Sequence, residues 1–232
     1  MLPLRDNIPT DRFPLVTVSL IFINVAVFLY ELTLGQAQLN QFFYEYGMTP
    51  YEVVHGISLH PRGSLPVFAT LITSMFVHSG WLHIGGNMLF LWIFGNNVED
   101  SMGRGRFIAF FFMCGLVAGF AQIVVSPESS VPNIGASGAI AGVLGGYLLL
   151  FPRARVLTLI LPIFLFELPA VVVLVYWIFI QVFSGALNLT AGQAGGGGVA
   201  YFAHIGGFLT GLVTIKLFTY GKYAVHIKRR HM

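Results

Sequence analysis

Charge is what this sequence has least of. Only 9% of its 232 residues are Asp, Glu, Lys or Arg, while 56% are hydrophobic; a soluble domain carries about 25% charged residues. So little charge cannot solvate a globular surface, and the chain reads as a membrane protein. Cysteine is nearly missing as well. Cys114 stands alone in the apolar run FIAFFFMCGLVAG, which excludes an intramolecular disulfide and points to a packing role. The formal charge is a modest +3, and the basic residues are scattered through short loops, a pattern that suits membrane topology better than nucleic-acid binding. The opening MLPLRDNIPTDRFP lacks a small-residue cleavage pattern, so the first apolar run is expected to stay in the mature protein.

What the sequence does have is apolar length. Stretches long enough to span a bilayer, or nearly so, run over 15–32, 82–98, 107–125, 137–151, 169–187 and 200–219, given about 20 residues per spanning helix. The expectation is an all-α six-transmembrane helix bundle: a core over 15–220 between a cytoplasmic N-terminal tail, 1–14, and a basic cytoplasmic tail, 221–232. The fourth span is too short to cross a hydrocarbon core of about 30 Å at 1.5 Å per residue, so it must start inside the membrane. Two shorter apolar pieces, 65–77 and the Pro-marked 156–168, read as interfacial or re-entrant.

Six spans put both termini on one side. That side then collects Arg5, Arg12, Arg104, Arg106, Arg153, Arg155, Lys216, Lys222, Lys228, Arg229 and Arg230, leaving only Arg62 of the 12 Lys and Arg residues on the other; basic residues mark the cytoplasmic face. Spans two, four and six therefore start on the outer side. A connection of that side, roughly 35–81, is long enough to have a function of its own. Another, NLTAGQAGGGG, is a flexible lead into span six and a plausible gate, or a spacer.

Polar groups within spans are expensive and so are functional candidates. They cluster at the outward starts of spans two, four and six: His78, His83 and Asn87, then Ser137, then His204. In NIGASGAIAG, Gly135 and Gly138 allow a sharp turn and a bare Ser137 hydroxyl beside free N–H groups at a helix start. Developing negative charge would be stabilised there. The same stretch could instead be a small-residue packing face, with Gly138 and Gly142 against Gly207 and Gly211 of span six. Such packing would bring His204 within reach of Ser137, and a histidine is the base a serine nucleophile needs. His83 and Asn87, four apart, share a helix face and could hold an oxyanion. Three imidazoles raise a metal reading, but no carboxylate shares their faces and HExxH is missing, so no metal is expected. Glu167, before Pro169, reads as an interfacial acid where span five begins; Asn24 and Gln181 read as interhelical hydrogen bonds; His55, His60, His226 and His231 read as solvated.

HSGWLHIGGN at span two, GASG at span four and AHIGG at span six, in that order on this topology, resemble the rhomboid family of intramembrane serine proteases, over roughly 10–220. The resemblance implies a Ser-His dyad with no carboxylate: Ser137 as nucleophile, His204 as general base, and His83, Asn87 and the Ser137 N–H as oxyanion hole. It also implies that His78 and Gly135 line a water-accessible cavity. The partners would be the lipid bilayer and transmembrane protein substrates with a small side chain before the cut, with no cofactor and no nucleic acid. The loop before span six, together with span five, would form a lateral gate. Many members carry a Trp-Arg pair in the first long loop, where Pro61 and Arg62 stand here. The short tails suggest a prokaryotic cytoplasmic membrane, with the site opening to its outer face. The competing readings are a transporter or channel, disfavoured by the apolar inward halves of the spans, and an inactive relative that binds membrane proteins.

Overall fold

Apolar runs longer than a strand and free of internal proline fold as helices. The computed structural model describes residues 1–60, 63, 65–160, 162–190 and 199–221. Helices α1 (Leu15–Glu31), α2 (Gln36–Tyr46) and α3 (Pro50–His55) are followed by a short bent segment, 67–76, containing α4 (Thr70–Thr73). Then come α5 (Trp81–Phe90), a π-turn over Leu91–Gly95, and α6 (Asn96–Met102), which together form one long helix. The last four are α7 (Arg104–Val125), α8 (Ser137–Leu150), α9 (Ala170–Thr190) and α10 (Tyr201–Thr219).

Among the described residues, α7, α9 and α10 are long and apolar enough to cross a membrane, and the segments 67–76 and 81–102 form one pair, bent by 81°, that makes a fourth candidate if taken together. Helices α1, with 17 residues, and α8, with 14, are shorter. Pro14 precedes α1, and Phe151–Pro152 ends α8, because proline cannot continue a helix. Almost every residue of α8 is buried, which makes it the axis of the bundle, with α7 and α10 packed against it and against each other.

The fold is not wholly helical. Strands β1 (Leu2–Asp6), β2 (Arg155–Ile160) and β3 (Phe164–Pro169) form an antiparallel sheet in the order β1-β2-β3, with Val156 facing both Asp6 and Leu168. Residues 156–168, expected to form an interfacial or re-entrant piece, fold as a hairpin, and the first residues, read as a tail, contribute a third strand. The physical reason lies in the composition: RVLTLI and FLFELP are rich in β-branched and aromatic residues, and Pro162 between them forbids a helix and suits a turn. Ile163, Phe164, Leu165 and Phe166 are exposed, as are many apolar residues of α9. Glu167 is exposed on β3, opposite Leu157.

Two carboxylates, Glu99 buried and Asp6 half-buried, tie the sheet end of the bundle together. The start of α1 has no capping side chain of its own. Instead Glu99 of α6 accepts from the Val16 N–H at 3.0 Å and from the Thr17 N–H and hydroxyl, each at 2.8 Å, which satisfies donors that a helix start leaves orphaned. Asp6 accepts from the Tyr147 hydroxyl and from Asn97 Nδ2. Burial raises its carboxyl above the usual range, outweighing those hydrogen bonds. Asn24 is buried but donates to the Leu20 carbonyl of its own helix at 2.7 Å, not across helices.

At the opposite end, the long connection after α1 braces the approach to α8. Met48 and Asn133 exchange backbone hydrogen bonds, and the Gly135 N–H donates to the Ser74 carbonyl at 2.8 Å. Arg62, the glycine-rich stretch 191–198, and the tail with Lys222, His226, Lys228, Arg229, Arg230 and His231 lie outside the described residues.

Replacing Glu99 with Ala should destabilise the fold by about 2–4 kcal/mol, since it strands several buried donors; Glu99→Gln should lose less. Denaturant titration in detergent measures both. Folding of Asp6 raises its carboxyl pKa from 3.8, so the folded state binds the proton more tightly and stability falls as pH rises from about 4 towards the folded value. Asp6→Asn should remove that slope, as read from melting temperature against pH.

Candidate active site

Three helix starts converge at the end away from the sheet. Ser137 is the first residue of α8, and the turn that delivers it needs Gly135. That residue has φ +118°, and a Cβ built there would lie 2.7 Å from His83 Nε2, so both backbone and space exclude a side chain. No side chain caps α8, which leaves its first-turn N–H groups uncapped next to the Ser137 hydroxyl.

His204, in the first turn of α10, is 9% exposed. Its Nε2 stands 2.7 Å from Ser137 Oγ. Glycine makes this approach possible. A Cβ on Gly207 would collide with the Gly138 carbonyl and one on Gly211 with the Gly142 carbonyl, while one on Gly142 would strike Cys114. The two helices therefore meet backbone to backbone, the closest packing helices achieve.

His83 and Asn87 sit on α5 across the cleft. His83 Nδ1 pairs with Ser79 Oγ at 3.1 Å, which turns Nε2 towards Gly135. Asn87 Nδ2 donates to the His83 carbonyl at 2.9 Å. His78 does not line the cleft. It is 1% exposed and neither ring nitrogen has a partner; its ring lies 5.0 Å from that of His83, and its N–H donates to Glu31.

The cleft has a volume of about 640 Å³ and is lined by α5, α8, α9 and the start of α10, with Ser137, His83, Asn87 and His204 along it. A second, small pocket of about 40 Å³ meets it at Ser137 and is lined by Gly115, Ala118, Gly119 and Gly138. The site holds one group that the sequence places only as an interhelical hydrogen bond: Gln181 of α9, whose Oε1 stands 2.7 Å from His204 Nδ1. A lone amide in an apolar helix, four residues after Trp177, was its only signal.

A family model described as the Rhomboid domain matches residues 66–221, which takes in every residue of the cleft. The chain belongs to the rhomboid family. It is 32% identical over 149 residues to Rhomboid protein 1, mitochondrial, of Saccharomyces cerevisiae, covering 62% of this chain and 40% of that protein. It is 41% identical over 78 residues to Rhomboid protease GluP of Bacillus subtilis, covering 34% and 15%. Rhomboid-like protein 11, chloroplastic, of Arabidopsis thaliana matches at 36% over 91 residues, covering 38% and 32%. The chain thus spans two fifths or less of these rhomboid relatives. Their names point to mitochondrion, chloroplast and bacterium alike, so they lend no support to a prokaryotic cytoplasmic membrane in particular.

Gly211→Ala should destabilise this rhomboid domain by about 2 kcal/mol or more, because a carbonyl of the neighbouring helix cannot yield to the added methyl. Gly85→Ala, where a Cβ meets nothing within 4 Å, should stabilise it by about 0.5–1 kcal/mol. Unfolding in detergent compares the two.

Proposed function

We propose that this rhomboid is an intramembrane serine endopeptidase working through a Ser137–His204 dyad. The observation that carries the reading is the 2.7 Å approach of His204 Nε2 to Ser137 Oγ inside a cleft walled by apolar helices. His204 takes the Ser137 proton as Oγ attacks the scissile carbonyl. The uncapped N–H groups of α8, with His83 and Asn87, stabilise the oxyanion of the tetrahedral intermediate. His204 then protonates the leaving amine, which departs from the acyl-enzyme. Water, deprotonated by the same imidazole, attacks the ester and frees the new carboxylate, returning the proton to Ser137.

The substrates are transmembrane segments of other proteins, admitted from the bilayer through the cleft between α5 and α9. The small pocket beside Ser137, walled by Gly115, Ala118, Gly119 and Gly138, supports a small side chain before the cut. Six spans are formed by α1, the joined α5–α6, α7, α8, α9 and α10, with both termini in the cytoplasm, where the Lys and Arg residues collect. At about 21 Å long, α8 begins below the outer surface, so Ser137 works within the thickness of the membrane and is reached from outside. No observation favours a transporter, since the cleft is lined at one end of the bundle only.

A fluorophosphonate probe should label the purified protein and fail to label Ser137→Ala and His204→Ala, and the intact protein alone should cleave a membrane-embedded substrate in proteoliposomes. Equal labelling of all three proteins would overturn the reading.

A further inference from the structure

Helix α9 enters the mechanism above only as a wall of the cleft, yet one of its side chains touches the base. Gln181 Oε1 lies 2.7 Å from His204 Nδ1, while the other ring nitrogen, Nε2, lies 2.7 Å from Ser137 Oγ. A carbonyl oxygen only accepts, so Nδ1 carries the hydrogen at this distance. In a neutral imidazole that leaves Nε2 bare, and bare Nε2 is the atom to which the Ser137 hydroxyl donates. The opposite tautomer would set a lone pair against the amide oxygen and an N–H against the hydroxyl's oxygen. Trp177, one turn earlier on the same face of α9, lies against the imidazole with ring centroids 5.7 Å apart and 38° between planes, which limits rotation of the ring. His204 is buried, so water competes weakly for either nitrogen.

We propose that Gln181 is the positioning residue of the base: its side-chain oxygen holds His204 with the hydrogen on Nδ1 and Nε2 turned to Ser137. The inference rests on the protease reading above and deepens it. During attack the Ser137 proton moves from Oγ to Nε2 and the ring becomes an imidazolium. The Nδ1–H bond to Gln181 persists and strengthens, because its donor is now charged. No proton leaves Nδ1, and the amide takes none. A carboxylate fills this place in Ser-His-Asp triads; here a neutral amide supplies the orientation alone. Since Gln181 belongs to the wall of the cleft, the tautomer is held while α9 is docked against α10.

The test pairs a spectroscopic readout with kinetics. In protein labelled with ¹⁵N-histidine, the His204 resonances, assigned through their loss in His204→Ala, should report hydrogen on Nδ1 in the unmodified chain. Gln181→Met keeps length and removes the acceptor; the tautomers should then mix, and kcat should fall about 10- to 100-fold, the value of one lost orienting hydrogen bond, with KM unchanged. Gln181→Glu keeps an acceptor at the same atom and should restore the Nδ1–H form and most of kcat. A bare Nδ1 in the unmodified chain overturns the proposal without reference to any variant. So does a Gln181→Met protein with unaltered tautomer and kcat. If the tautomer responds as stated while fluorophosphonate labels nothing, Gln181 positions His204 and the protease reading is what fails.

Discussion

The geometry of the site depends on how closely two helices can approach. Between α8 and α10 the limit is set by backbone: Gly207 and Gly211 lie on the carbonyls of Gly138 and Gly142, and Gly145 lies against the carbonyl of Phe208. In a bilayer no hydrophobic effect draws apolar helices together, so dispersion across a close, small-residue seam must do so. The seam has a second consequence, because it brings Ser137 and His204 within a hydrogen bond. A methyl on Gly145, Gly207 or Gly211 would collide with the facing backbone and push the two helices apart. Packing and chemistry therefore rest on the same glycines.

Rigidity is distributed unevenly around this seam. α7 backs both helices, Glu99 fixes the start of α1, and Asp6 ties the sheet to Tyr147 of α8. The turn into Ser137 is held by the Met48–Asn133 and Gly135–Ser74 hydrogen bonds. α9 differs. Most of its surface is exposed and apolar, with Val171, Val175, Phe179, Val182 and Phe183 among the exposed residues, and it lies against α10 and α8 along one side. A wall that is greasy outside and lightly packed inside suits the admission of another helix from lipid, while the seam behind it stays fixed.

Much of this was legible in the sequence, for reasons that differ by element. The runs that became α1, α5–α6, α7, α8, α9 and α10 were found within a few residues, because apolar length and proline breaks are local signals. Ser137 and His204 could be named because a hydroxyl and an imidazole are conspicuous among glycines. The sheet was missed, since β1 pairs with a hairpin about 150 residues away and no local period announces that partner. Glu99 was missed for the same reason: Val16, in the first turn of the helix it caps, lies 83 positions earlier. His78 was expected in the cavity and is buried behind His83, because spacing fixes a helix face but not the bend that precedes α5. Asn24 bonds within its own helix, which a single polar letter in a span could not reveal. Gln181 was read as an interhelical bond, which it is, but its partner could not be known without the third dimension.

The choice of an amide at position 181 follows from where α9 stands. An ion buried in an apolar protein setting costs several kcal/mol unless its partner stays with it, and a helix proposed to border lipid and admit substrate cannot guarantee that. A carboxylate there would orient the base while α9 is docked, as Gln181→Glu is expected to, but would be stranded each time the wall moved. An amide left briefly without its imidazole costs about 1–3 kcal/mol, a penalty a moving wall can bear. On the proposed role of Gln181, neutral orientation of the base suits a lipid-facing cleft, and no carboxylate is then needed among the motif residues of spans two, four and six.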